Sequence, residues 1–465
     1  MSTEDLHQTT AAAGAAEDRA SDGSLYRAIW RWHFYAGLLI LPFMIWLALT
    51  GGIYLFKDEI NDLLYGDVRS VEPAGGTTLP PSEIVARASA ALDGKVTGYV
   101  PPATPERSAQ VRLETGEGEK RIVYVDPYGG AVLGEQADGK FAGSPVMFLL
   151  RKLHNLEYFG TYTNRIIEAV AGFALILVVS GIYLWWPRGR GGGVVSLRGK
   201  PSRRLFWRDL HAVTGAFAGL LIFFLALTGL PWSGFWGGKV NEYANEAGLG
   251  YPTGYWDDIP VSTVPMKEAM TETSWSLENA PMPESTPNGA PAIGVDRAVA
   301  IFTERGIEAG YAIDFPKEET GVFTASVYPD KISGERIIHL DQYTGEVLFD
   351  AGFADLGPVG QAIEWGVSVH MGQEFGRANQ LVMLATCLAI ILMSVSAVVM
   401  WWKRRPQGRL GVPPQPENKR VYIALWSIAV VVGLLFPLTG LAIVTMLALD
   451  LLLIRWVPPL RRAFA

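Results

Sequence analysis

The chain is poor in cysteine, in histidine and in charge. Cys387 is its only cysteine in 465 residues, which excludes a disulfide framework, a zinc–thiolate cluster and covalent haem attachment through CxxCH. Charged residues make up 18%, whereas a soluble enzyme carries about a quarter. With a net charge of -7 there is no basic excess to meet a phosphate backbone, so nucleic acid is not the main partner. No GxSxG, HExxH or Walker stretch is present. The six histidines are few enough to be placed one by one.

What the chain does have is apolar length. Crossing a bilayer takes about 20 apolar residues, and the blocks 34–56, 166–186, 211–236 and 381–402 reach that. Their ends carry Trp30 and Trp32, Trp185 and Trp186, Trp232 and Trp236, Trp401 and Trp402. Amphipathic rings of this kind settle at the headgroup level. Basic loops set the orientation. Arg188, Arg190, Arg198, Lys200, Arg203, Arg204 and Arg208 fall between the second and third blocks, and Lys403, Arg404, Arg405, Arg409, Lys419 and Arg420 follow the fourth. Both loops are expected in the cytoplasm, with the acidic segments 57–150 and 237–365 outside. The N-terminus is then inside, and the first span is an uncleaved anchor because no apolar run precedes residue 34.

Residues 1–23 read as a disordered cytoplasmic tail. The full division is 24–56 first span, 57–150 external module, 151–187 second span, 188–208 basic loop, 209–236 third span, 237–365 second external module, 366–402 fourth span and 403–420 basic loop. Residues 421–457 contain Pro437 and read as a membrane hairpin, with one kinked helix as the alternative.

Half of this pattern repeats the other half. LALTGGIYLF at 47–56 matches LALTGLPWSGF at 225–235, and the same offset sets His33 opposite His211. SGIYLWWPR at 180–188 matches SAVVMWWKR at 396–404, while HNLEYFG at 154–160 and HMGQEFG at 370–376 set His154 opposite His370. Outside the spans, VYVDPYGGAVLGE at 123–135 matches IHLDQYTGEVLFD at 338–350. The expected fold is therefore an α-helical integral membrane protein with four core spans, a C-terminal hairpin and two small α+β modules in an internal duplication. In each module Asp126 or Asp341 opens a turn that a glycine closes with positive φ. Residues 237–290 are an acidic, Pro-rich insertion of the second half alone.

These modules between LHNLEYFG…SGIYLWWPR spans resemble the PepSY-associated transmembrane family of bacterial inner-membrane proteins, over roughly residues 24–405. The resemblance implies PepSY-like periplasmic modules and a multi-pass protein of the inner membrane. Family members are often iron-regulated, and some are haem-containing reductases of ferric siderophores.

The histidines fit that implication. His33, His211, His154 and His370 fall at matched places, whereas His339 aligns with Tyr124 and His7 lies in the tail. Neutral imidazole is a good axial ligand, and two of them make a six-coordinate electron-transfer haem. If the halves pack about a pseudo-two-fold axis, His33 faces His211 and His154 faces His370, giving two b-type haems near opposite membrane surfaces. A lone histidine at a span end is ordinarily an interfacial hydrogen-bonder; four at matched positions point to iron. Iron or zinc held by two histidines plus carboxylates lacks a duplicated acid, since Glu157 aligns with Gln373.

Weaker expectations attach to other residues. Gly37 with Gly215, and Gly51 with Gly229, admit a macrocycle or close helix packing. Thr50 and Thr228 are expected to bond their own helices. Arg165 and Arg377 are interface anchors, with propionate or siderophore binding as the alternative. Glu168, one turn into the second span, is expected to pair with Arg165. The leading functional expectation is haem-dependent reduction of a ferric siderophore or other iron chelate, with electrons from a cytoplasmic donor. The alternatives are a non-enzymatic uptake accessory that binds a siderophore or a periplasmic partner, and a peptidase regulator.

Overall fold

The computed structural model describes residues 3–73, 75–160, 162–187, 192–251, 260–271, 273–407, 409, 411, 419–449 and 456–459. In chain order the first helices are α1 (Thr3–Tyr54), α2 (Lys57–Arg69), α3 (Pro81–Ala91), α4 (Pro145–His154), α5 (Asn164–Trp185), α6 (Arg204–Gly229) and α7 (Trp236–Glu246). They continue as α8 (Met266–Ala269), α9 (Gly294–Glu304), α10 (Pro358–His370), α11 (Gly376–Arg404), α12 (Lys419–Leu435) and α13 (Pro437–Leu449). The strands are β1 (Lys95–Val100), β2 (Ala109–Glu114), β3 (Lys120–Val125), β4 (Val132–Ala137) and β5 (Val261–Pro265). After these come β6 (Pro281–Pro283), β7 (Ala312–Asp314), β8 (Val322–Val327), β9 (Arg336–Asp341) and β10 (Val347–Gly352). The chain divides into two compact units. One comprises Met1–Leu49, Asn155–Trp236 and Leu384–Ala465, the other Thr50–His154 and Gly237–Met383.

Four helices are long and apolar enough to cross a membrane: Leu25–Tyr54, Asn164–Trp185, Arg204–Trp232 and Gly376–Arg404. They cover the four expected blocks. A hydrocarbon environment leaves no partner for backbone amides except the helix's own carbonyls, which is why apolar blocks of this length become helices. In the helical unit, Ala36 and Ile40 of α1, Val170, Phe173 and Ala174 of α5, Ala429 of α12 and Ile443 of α13 form one buried cluster. Small residues there let the backbones close up. At Gly172 of α5 a Cβ would overlap the Thr439 hydroxyl.

One expectation about the ends changes. The helix α1 begins at Thr3, inside the stretch expected as a disordered tail. Its AAAGAA run has high intrinsic helix propensity, and the span downstream supplies a nucleus from which the helix extends. The C-terminal segment is two helices broken at Phe436–Pro437, each shorter than a span. At that break Gly433 and Gly440 approach so closely that a Cβ on Gly440 would overlap the Gly433 backbone. Residues 188–191, 412–418 and 450–455, which hold parts of both basic loops and the end of the expected hairpin, lie outside the described residues.

The other unit is built on one sheet, not two separate modules. Its eight strands run β10-β9-β8-β7-β1-β2-β3-β4, each antiparallel to its neighbours. The order helix then four strands occurs twice, as α3 with β1–β4 and α9 with β7–β10. Ile84 and Ala88 of α3 and Ala298 and Phe302 of α9 cover one face, over Val111, Val123, Phe323 and Ile338. Where the two halves join, Gly98 of β1 pairs with Asp314 of β7. Arg112 clamps that seam, bonding the Asp314 carboxylate at 3.1 Å and the Ile313 carbonyl at 2.8 Å. A Cβ on Gly98 would stand 2.6 Å from the Arg112 guanidinium, so only glycine leaves room for the clamp. Both Asp turns form as expected. Asp126 accepts the Tyr128 amide at 2.9 Å, Asp341 accepts the Tyr343 amide at 2.8 Å, and Gly130 and Gly345 close them at φ 72° and 74°.

Candidate functional site

His33 of α1 and His211 of α6 come together. Their ring centres are 6.4 Å apart and their planes are perpendicular. Each ring is held at Nδ1 by a neighbouring helix. His33 Nδ1 lies 2.8 Å from Ser180 Oγ of α5, and His211 Nδ1 lies 3.0 Å from the Met393 carbonyl and 3.2 Å from Ser396 Oγ of α11. The Met393 carbonyl can only accept, so His211 Nδ1 carries hydrogen and its lone pair is left on Nε2, the state of a metal-ligating histidine. The Ser180 hydroxyl reaches both His33 Nδ1 and the Ile176 carbonyl, at 2.8 and 2.7 Å, and holds the ring in place.

The spacing tests the fit to a metal between them. A nitrogen sits about 2 Å from a coordinated first-row metal, so two imidazoles on opposite sides have ring centres about 6 Å apart. The observed separation meets that value. Gly181 contributes room, because a Cβ there would press to 3.3 Å from His33 Cε1.

His154 and His370 end α4 and α10. Thr50 Oγ1 lies 2.9 Å from His154 Nδ1, and a Cβ on Gly51 would come within 3.1 Å of His154 Cε1. A helix C-terminus ordinarily favours imidazolium. Here burial outweighs it: loss of water, then the nearby His370 and Arg151, lowers His154 to about 4. His154 is thus neutral at physiological pH, the form that binds metal, and it lies near enough to His370 to feel its charge. Among the described residues no group of three or more His, Cys, Asp or Glu is placed to hold an ion. The alternative of iron or zinc with carboxylate ligands therefore has no donor set there.

Several expected contacts are replaced. Thr50 bonds His154, not only its own helix, whereas Thr228 does donate to its own Phe224 carbonyl at 2.8 Å. Glu168 does not pair with Arg165. Its Oε2 accepts the Phe235 and Trp236 amides at 3.1 and 3.0 Å, where α7 begins, and the Arg165 guanidinium lies 5.2 Å from the Tyr162 ring. Arg377 bonds Glu59 at 2.6 Å. A Cβ on Gly37 would make an ordinary contact with Leu177 at 3.9 Å, whereas one on Gly215 would press to 3.0 Å from Met393 Cε. His339 stands apart, in β9 of the sheet.

Ser180 and Ser396 are not among the site residues expected from the sequence. Their signal was available, since they head the matched SGIYLWW and SAVVMWW stretches, but serine in an apolar helix commonly bonds its own turn. Only the packed structure shows the imidazole on the other side.

No curated protein matches the chain. The family model of the PepSY-associated TM region matches residues 30–404, across all four apolar helices and the sheet between them, and the chain belongs to that family.

Proposed function

We propose that this is a di-haem b-type electron-transfer protein of the bacterial inner membrane that reduces ferric siderophores or other ferric chelates at the periplasmic face. The observation that carries the reading is the His33–His211 pair, with each ring held at Nδ1 by a neighbouring helix and ring centres 6.4 Å apart. His33 and His211 would hold one haem, and His154 with His370 a second. Bound there, haem b supplies a one-electron ferric/ferrous couple.

The chain's own residues set how that couple behaves. The imidazoles would be the ligands; Ser180, Ser396 and Thr50 sit at their Nδ1 atoms and orient them, and the Met393 carbonyl, by accepting from His211 Nδ1, would strengthen that ring as a donor. The matched histidines and serines, and the repeated helix-and-four-strand order, support an internal duplication with one pair on each side of the membrane. The basic loops after the second and fourth spans support a cytoplasmic donor side and, with it, a periplasmic sheet.

Purified full-length protein made with adequate haem supply should show a b-type Soret band that shifts on dithionite reduction. Ferric chelates should then reoxidise it. A colourless preparation would refute the reductase reading and leave the binding accessory. Ser180→Ala is expected to weaken haem binding about 10- to 100-fold and to shift the midpoint potential in redox titration, because His33 loses its Nδ1 partner, whereas Ser396→Ala should cost less, because the Met393 carbonyl still accepts from His211 Nδ1. Gly51→Leu should perturb only the His154–His370 centre in the same spectra, since any branched side chain there meets the His154 ring.

A further inference from the structure

His339 has no counterpart in the first half of the sheet, and its environment differs from that of a structural imidazole. It is fully buried, and its Nδ1 lies 2.8 Å from Thr324 Oγ1, its cross-strand neighbour on β8. On the other side its ring is 5.6 Å from Phe349, its register partner on β10. Nε2, the nitrogen farther from the sheet, is buried without a hydrogen-bond partner. Tyr124 stands at the aligned position of β3, and there the hydroxyl is satisfied by Gln136 at 2.5 Å. Leaving a buried polar group unmet is costly, so the bare Nε2 needs an explanation.

What covers that face supplies one. Ile337 and Phe349, which flank His339 on the same side of the sheet, pack in one buried cluster with Met266, Met270 and Leu277, and Met282 lies against it. These methionines belong to the insertion that only the second half carries, and 266–282 holds three of the chain's 11 methionines. The insertion and the unmatched histidine therefore occur together. Thioether and imidazole are soft or borderline neutral donors, a set that suits Cu(I) and offers no anionic oxygen for harder ions.

We propose that His339 Nε2 and the thioethers of Met266, Met270 and Met282 form a binding site for a soft monovalent cation, Cu(I). The site is independent of the haem reading. The test is anaerobic competition of the detergent-solubilised full chain against a chromogenic Cu(I) chelator. Wild type should withdraw one equivalent of Cu(I). His339→Tyr, which installs the residue of the first half, should lose it. Met266→Leu combined with Met270→Leu preserves volume and should keep the melting temperature, while weakening binding at least tenfold. Absence of a withdrawn equivalent in wild type overturns the site, as does an equivalent that survives in His339→Tyr. Loss in His339→Tyr with unchanged affinity in the methionine double variant overturns the thioether ligation.

Discussion

Replacing any one of the four matched histidines by alanine is expected to remove one haem of two and to leave the other spectroscopically intact. The reason is that each six-coordinate centre needs both of its imidazoles. The rings of His33 and His211 stand 6.4 Å apart, and His154 lies near enough to His370 for that imidazole to help lower its pKa. The pattern of double variants is the sharper test. His33→Ala with His211→Ala should lose no more haem than either alone, because the second change acts on a site already broken. His33→Ala with His154→Ala should lose both. Haem-to-protein ratios and low-spin spectra of the purified variants check this. Additive loss within a pair, or loss of one haem in a cross-pair double, would show that the ligands are partnered differently.

The second large effect concerns stability. Glu168 is 1% exposed and accepts two backbone amides at the start of α7, where the helix dipole favours its negative charge. Hydrogen bonds to a charged group contribute about 1.5–3 kcal/mol each. Glu168→Ala takes the acceptor from two part-buried amides and should lower unfolding free energy by about 1–3 kcal/mol. Glu168→Gln keeps an acceptor oxygen but not the charge, and should lose less. Denaturant unfolding in detergent distinguishes the two. Equal stability of the alanine variant and wild type would mean that water or another group satisfies α7.

The same glutamate shows where reading along the chain stops working. Its sequence neighbour Arg165 was the natural partner at i,i+3, and helical geometry permits that pair. The amides it actually accepts belong to residues 235 and 236, brought in by another segment of the helical unit. Ser180 and Thr50 teach the same lesson. Their hydroxyls can always bond their own turn, and no local pattern says that an imidazole from elsewhere stands on the far side. Arg112 is likewise unremarkable in β2 until β7 arrives to meet it.

The sequence by itself determined the four apolar helices, because chain length and the need to satisfy backbone amides in hydrocarbon leave no other structure. It also determined which four histidines to watch, since matched positions are visible without coordinates. Only the tertiary structure decided that His33 and His211 meet, that other helices hold both rings at Nδ1, and that two expected modules close into one sheet. Those outcomes depend on contacts between residues more than a hundred positions apart, and such contacts are set by packing, not by any local period.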